Sequence, residues 1–142
     1  MLRACSMRER ESYEYRCIER QPAQGRQYRH HMANVIESLK DADMVVFASP
    51  IYWFDITVQE KAAIDRLYAF GAMGFPFTKT ALLLDSHSQG VYDAAIAMYK
   101  STCAYCKWAD QGIVTISGMT ERDSMASSSK LEEVRELARK LA

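Results

Sequence analysis

A chain of 142 residues is sized for one domain with a sizeable core, and 49% apolar with 25% charged residues is the balance of an ordinary soluble globular protein. Eighteen Lys and Arg offset eighteen Asp and Glu, which excludes a global field drawing the chain to nucleic acid or to anionic lipid. No apolar run approaches the roughly 20 residues of a membrane span. No charged-then-apolar leader opens the sequence either, so the expected compartment is the cytoplasm, with Cys5, Cys17, Cys103 and Cys106 as reduced thiols.

Residues 1–31 hold seven Arg and no Lys, against Glu9, Glu11, Glu14 and Glu19. The interleaved acids argue against a targeting peptide and for a solvated, irregular Arg-rich segment. Regular structure is expected over 32–142 as one domain. Met32, Val35, Ile36 and Leu39 recur at helical spacing, predicting a short helix that ends near Asp41. The apolar run over 43–49, stopped by Pro50, suits a strand inside a parallel sheet. An aromatic loop follows, Pro50-Ile-Tyr-Trp-Phe-Asp55. Thr57 and Glu60 have capping-box spacing and open a helix expected to end near Gly71.

The unit then repeats twice. Residues 80–85 form the next apolar run, 86–90 a polar loop, and Val91, Ala95, Met98, Thr102, Tyr105 and Ala109 one face of a long helix. Residues 112–117 read as a third strand and 118–123 as its loop. Ser129 and Glu132 form a second capping-box pattern before a helix with Leu131, Val134, Ala138 and Leu141 inward. Strand, loop and helix three times over predict an α/β fold: a parallel core from 43–49, 80–86 and 112–117 with helices on both faces.

In an open parallel sheet, ligands bind beyond the carboxyl ends of the strands, so Ser49–Asp55, Ser86–Gly90 and Gly118–Asp123 are the segments to weigh. Tyr52, Trp53 and Phe54 lie consecutively in one of them. They suit either a flat ring held by stacking or packing under a neighbouring loop or subunit, and spacing alone leaves both open. Cys103 and Cys106 have redox-motif spacing but fall late in a predicted helix, where a thiolate is not stabilised, which favours plain thiols. No metal site is expected.

Ser49-Pro-Ile-Tyr-Trp53, followed by Lys61-Ala-Ala-Ile-Asp-Arg66, resembles the NAD(P)H-dependent FMN reductase and iron–sulfur flavoprotein branch of the flavodoxin-like superfamily. The likeness runs over about 32–142, through 81–84, Trp108-x-Asp110-x-Gly112 and Gly118. It implies a flavodoxin-like three-layer sandwich and an FMN-dependent oxidoreductase that takes electrons from NAD(P)H and passes them to flavin, a quinone or another small acceptor. It further implies that Ser49, Pro50, Ile51, Tyr52 and Trp53 run along the flavin ring, that Ser86 and His87 lie on its other side, and that the chain forms a homodimer or homotetramer. No side chain is expected as a general base, because the redox chemistry belongs to the flavin. The family's opening strand and Gly-Ser-rich phosphate loop have no counterpart in 1–31, where Gly25 is the sole glycine. The expectation is therefore an N-terminally truncated fold with weakened phosphate anchorage. A silent interaction subunit and an electron-transfer flavoprotein are the alternatives. Two cysteines with eleven residues between them, Cys5 and Cys17, do not make the cluster site that some relatives carry.

Overall fold

A computed structural model describes residues 39–71 and 74–141. The Arg-rich segment, Cys5, Cys17 and nearly all of the helix expected over 32–41 lie outside the described residues. Strands β1 (Met44–Tyr52), β2 (Asp55–Ile56), β3 (Lys79–Asp85) and β4 (Ala109–Ile116) alternate with helices α1 (Val58–Gly71), α2 (Asp93–Cys106) and α3 (Leu131–Leu141). A short 3₁₀ turn, Ser124–Ser127, precedes α3.

The strands order β2-β1-β3-β4. β1 runs parallel to β3 from Met44 opposite Lys79 to Pro50 opposite Asp85, and β3 runs parallel to β4. The expected parallel core is present, and its helices lie on both faces. Among the described residues, the only antiparallel pairing is the short β1–β2 hairpin. Among the described residues, Met44–Pro50 are paired on one side only, by β3.

Side-chain alternation along the strands sorts the core into two layers. Phe47, Ile51, Leu82 and Leu84 face α1 and α2, meeting Leu67, Tyr92, Ala95, Tyr99 and Cys103. Ala81, Val114 and Ile116 point the other way, onto Leu137 of α3. Burying a Leu or Phe of this kind contributes about 1.5–3 kcal/mol. On the α3 side β1 is thinly covered, and Val46 is 42% exposed.

Three local details differ from the sequence expectation, each for a physical reason. First, β1 continues through Pro50 to Tyr52 instead of stopping at Pro50. Proline lacks an N–H to donate, but Pro50 has a strand partner on one side only among the described residues, so no ladder bond there need be lost. Second, α2 ends at Cys106, not at Ala109, because Lys107 turns left-handed at φ 57°. Trp108 then donates its N–H to the Cys103 carbonyl at 2.9 Å and carries its indole into the core. Third, β4 begins at Ala109 instead of 112 and carries one extra residue: Thr80 pairs with Asp110 but Leu82 with Ile113. Gly112 absorbs this bulge at φ 146°, and its N–H is held by Asp110 Oδ1 at 2.9 Å. A Cβ there would lie 3.1 Å from Leu137 Cδ1, so α3 seats on the bulge because position 112 is bare.

The two capping patterns fare differently. Thr57 Oγ1 accepts the Glu60 N–H at 3.2 Å, as the pattern predicts. The Thr57 N–H, however, goes to Ser49 Oγ and not to the Glu60 carboxylate. At α3 it is Ser128, one residue earlier than expected, whose hydroxyl accepts the Lys130 N–H at 3.2 Å. Glu132 pairs instead with Arg135 and Arg139 along the exposed helix face.

Candidate functional site

The aromatic segment expected as a loop is a tight β-hairpin. Ile51 pairs with Ile56 and Tyr52 with Asp55, leaving Trp53 and Phe54 as a two-residue turn. Both turn residues have positive φ, 49° and 70°. That is the geometry of a type I′ turn, whose twist matches the strands but which ordinarily calls for Asn-Gly or another small pair. The base of the hairpin is pinned. Ile51 and Ile56 are buried, and Ile56 donates its N–H to Asp55 Oδ1 at 2.8 Å. Ser49, also buried, accepts the Thr57 N–H at 2.9 Å and donates to the Pro50 carbonyl at 2.8 Å.

The tip, by contrast, is bare. Trp53 is 94% exposed, Tyr52 67% and Phe54 56%, and Val58 beside them is exposed too. The packing alternative therefore finds no partner within the described part of one chain. The pairing of Pro50 with Asp85 in the strand register carries the next segment, Ser86–Gly90, to the same sheet end as the hairpin. Here Ser86 is buried and His87 exposed. Ser86 Oγ is bonded to the Tyr92 hydroxyl at 2.9 Å and to the Ser88 carbonyl. Tyr92 in turn donates to the Ile116 carbonyl at 2.8 Å. Ser86 also donates its N–H to Ile116, and Met119 and Gly118 donate theirs to Ser86 and His87, at 2.9, 3.0 and 3.2 Å. Loops 86–88 and 116–119 are thus zipped into one shelf beside the hairpin.

Sorted by geometry, the expected site residues fall into two groups. Ser49, Ile51 and Ser86 are committed to holding the edge together, with their side chains inward or hydrogen-bonded. Tyr52, Trp53 and His87 face solvent, and Pro50 lies between. Two further residues belong to this edge. Tyr92 locks the shelf, which a single tyrosine at a helix start gave little sign of. Asp85 ends β3 there, and partial burial raises its carboxyl above the ordinary range, with a bond to backbone pulling the other way. An acid directly after the apolar run 81–84 was the available signal. Cys103 is buried, and burial pushes the Cys106 thiol up, with Cys103 adding to it; neither is poised as a nucleophile. Among the described residues no cluster of three or more His, Cys, Asp or Glu is placed to hold a metal, and no helix is long and apolar enough to cross a membrane.

This edge suits a flat ring better than an anion. Exposed aromatic faces and backbone groups are at hand, while the helix start at Asp93 carries an acid in its first turn.

A family model described as the flavodoxin-like fold matches residues 4–141. No curated protein matches. Among solved structures, the Trp repressor binding protein from Bacillus subtilis is similar at 18% identity and a TM-score of 0.59, over 76% of this chain and 67% of that one. Identity that low speaks for the shared fold alone.

Proposed function

Because the chain belongs to the flavodoxin-like fold family, we propose that it is a flavin-dependent oxidoreductase of the NAD(P)H-dependent FMN reductase type. One observation carries this reading: an exposed Tyr52-Trp53-Phe54 tip stands at the carboxyl end of a parallel sheet, the edge where open α/β sheets take ligands. The ring of FMN would lie against Tyr52 and Trp53, with the backbone of Pro50–Ile51 and of Ser86–His87 along its polar edge. Bound there, the flavin supplies the hydride and electron transfer, from NAD(P)H to a small acceptor. The residues of the chain orient the ring and exclude water from one face. Ser49, Ile51 and Ser86 act by fixing the edge, not by touching the reacting atoms. A homodimer or homotetramer in the cytoplasm is part of this proposal, since a second copy would cover the side of β1 that has no partner among the described residues.

Flavin absorbance in the purified protein, followed by bleaching on addition of NADPH, tests the reading. Absence of any flavin after reconstitution would leave the alternative of a silent flavodoxin-like interaction subunit, which the want of a Gly-Ser-rich phosphate loop in the sequence of 1–31 favours. Charge-assisted hydrogen bonds contribute roughly 1.5–3 kcal/mol each. Without several of them, FMN and riboflavin should bind nearly alike, and strong FMN selectivity in a fluorescence titration would point to a phosphate site elsewhere in the chain. Trp53→Ala should weaken both ligands; an unchanged titration would return Tyr52 and Trp53 to packing.

A further inference from the structure

Helix α2 is pegged to β3 and β4 by two tyrosine hydroxyls. Tyr92 at its start and Tyr99 two turns on share the inward face, and both are buried. They grip opposite ends of the same two strands. Tyr99 bonds Thr80 Oγ1 at 2.9 Å and Asp110 Oδ1 at 3.1 Å, near the starts of β3 and β4. Tyr92 bonds Ser86 Oγ at 2.9 Å, just past the end of β3, and donates to the Ile116 carbonyl at 2.8 Å, at the end of β4. The surroundings of the two pegs differ. Tyr99 lies over continuous strands, with Phe47 edge-on to its ring at 6.3 Å. At Tyr92 the strands have ended, and loops 86–88 and 116–119 are joined to each other by the N–H groups of Ser86, Gly118 and Met119. Among the described residues, the hydrogen bonds from this shelf to α2 run through the Tyr92 hydroxyl. Ser86 has one hydroxyl proton, which serves either the Tyr92 oxygen or the Ser88 carbonyl. Without the Tyr92 hydroxyl that proton stays with Ser88, and Ile116 keeps the Ser86 N–H. The shelf would remain bonded within itself, and only its tie to the helix would be gone.

We propose that Tyr92 is a latch, the positioning residue whose hydroxyl holds the 86–88 and 116–119 shelf, and His87 with it, as a unit that opens separately from the rest of the fold. Proteins open in such local units, each with its own free energy below that of global unfolding. Tyr99, gripping the same strands where they are continuous, belongs to the global unit instead. The latch stands on the hydrogen bonds alone. Its use, keeping the backbone of Ser86–His87 set for the polar edge of a ring, rests on the flavin reading.

Native-state hydrogen exchange on the full chain tells the two pegs apart. The amides of Ser86, Gly118 and Met119 report the shelf, and those of Leu82 and Leu84, in a strand paired on both sides, report global unfolding. In the wild type the shelf amides should exchange faster than those of β3. Tyr92→Phe should speed the shelf amides about fivefold, the effect of losing one ordinary hydrogen bond. Tyr99→Phe should speed Leu82 and Leu84 and leave the shelf unchanged. Ser86→Ala supplies a second variant: combined with Tyr92→Phe, it should speed the shelf by less than the product of the two single effects, because both remove the same contact. Shelf amides as slow as those of β3, or quickened equally by Tyr99→Phe, would show one cooperative unit and overturn the proposal. So would a shelf that exchanges at the wild-type rate in Tyr92→Phe, or independent effects of Tyr92→Phe and Ser86→Ala. Riboflavin at ten times its Kd should slow wild-type shelf exchange about tenfold. If it does not bind, or leaves the shelf unprotected, the flavin reading of this segment fails, while the variant comparisons still decide for or against the latch.

Discussion

Trp53 and Trp108 are the same side chain at opposite ends of one sheet, 94% and 7% exposed. Trp108 enters just before β4 and is ringed by Phe47, Phe75 and Phe77, at centroid distances of 6.1, 4.8 and 5.1 Å. Its indole N–H is buried without an acceptor among the described residues, a cost accepted for the apolar area that the ring removes from water. Beside it, Tyr99 OH bonds Thr80 Oγ1 at 2.9 Å and Asp110 Oδ1 at 3.1 Å, and Thr80 lies 3.3 Å from Cys103 Sγ. This end is sealed, by aromatic packing and by a polar network that ties α2 to β3 and β4. At the other end the aromatics are held out by backbone geometry and pack on nothing described. An aromatic residue thus stabilises where helices close over it, whereas the exposed Trp53 ring gains no such burial.

The sharpest way to break this comparison is to truncate both indoles. Trp108→Ala should lower stability in urea unfolding by about 3–5 kcal/mol, as buried large-to-small changes do. Trp53→Ala should change it by less than about 0.5 kcal/mol, the scale of exposed positions. Equal losses would mean that Trp53 is buried against something. Next in size, Gly112→Ala forces a Cβ toward Leu137 at a left-handed φ, and should cost about 1–3 kcal/mol in the same assay, the range of overpacked sites.

Tyr99→Phe removes one hydroxyl from the sealed end and should cost about 1 kcal/mol near neutral pH. It also sharpens the comparison through alkali. Burial, and then the neighbouring Cys103 thiol and Asp110, hold the Tyr99 phenol protonated well above its ordinary 10.0, against a lowering bond from Thr80. The unfolded chain ionises first, so this group's contribution is present below pH 10 and is lost as pH rises beyond it. Stability of the wild type should fall above pH 10, and Tyr99→Phe should flatten that fall. The smallest effect belongs to the open end. Partial burial raises the Asp85 carboxyl, so its contribution is favourable below the unfolded value of 3.8 and disappears as pH rises through the folded one. Asp85→Asn should therefore gain stability relative to wild type at pH 7 but not at pH 3, as thermal melts at the two pH values would show.

The parallel core was legible in the sequence because short runs such as Thr80–Leu84 are apolar on both faces and each is followed by helical periodicity. Element ends were less so. The stop at Cys106 depends on a left-handed Lys107, and the bulge at Gly112 on the seating of Leu137, and neither has a local signal of its own. The aromatic segment was legible as the candidate edge, but not as a hairpin. Trp-Phe is among the last pairs that turn preferences would place in a type I′ turn, and only the pairing of Ile51 with Ile56 forces it. Asp85 and Tyr92 were missed for a related reason. Their importance comes from which strand ends and loops meet, and that is a property of the register.

The β1 segment, paired over Met44–Pro50 on one side only among the described residues, also matters before the chain is folded. Met44–Ser49 is a six-residue window of high β propensity without charge, proline or glycine, the composition of segments that stack into cross-β aggregates. It is flanked by Asp41 and Asp43 before it and by Pro50 after it. Like charges resist in-register stacking, and proline cannot donate to a growing ladder. Pro50 therefore does for the unfolded chain what it is not needed to do for the native strand: the strand runs through it in the fold, while a fibril would have to stop there.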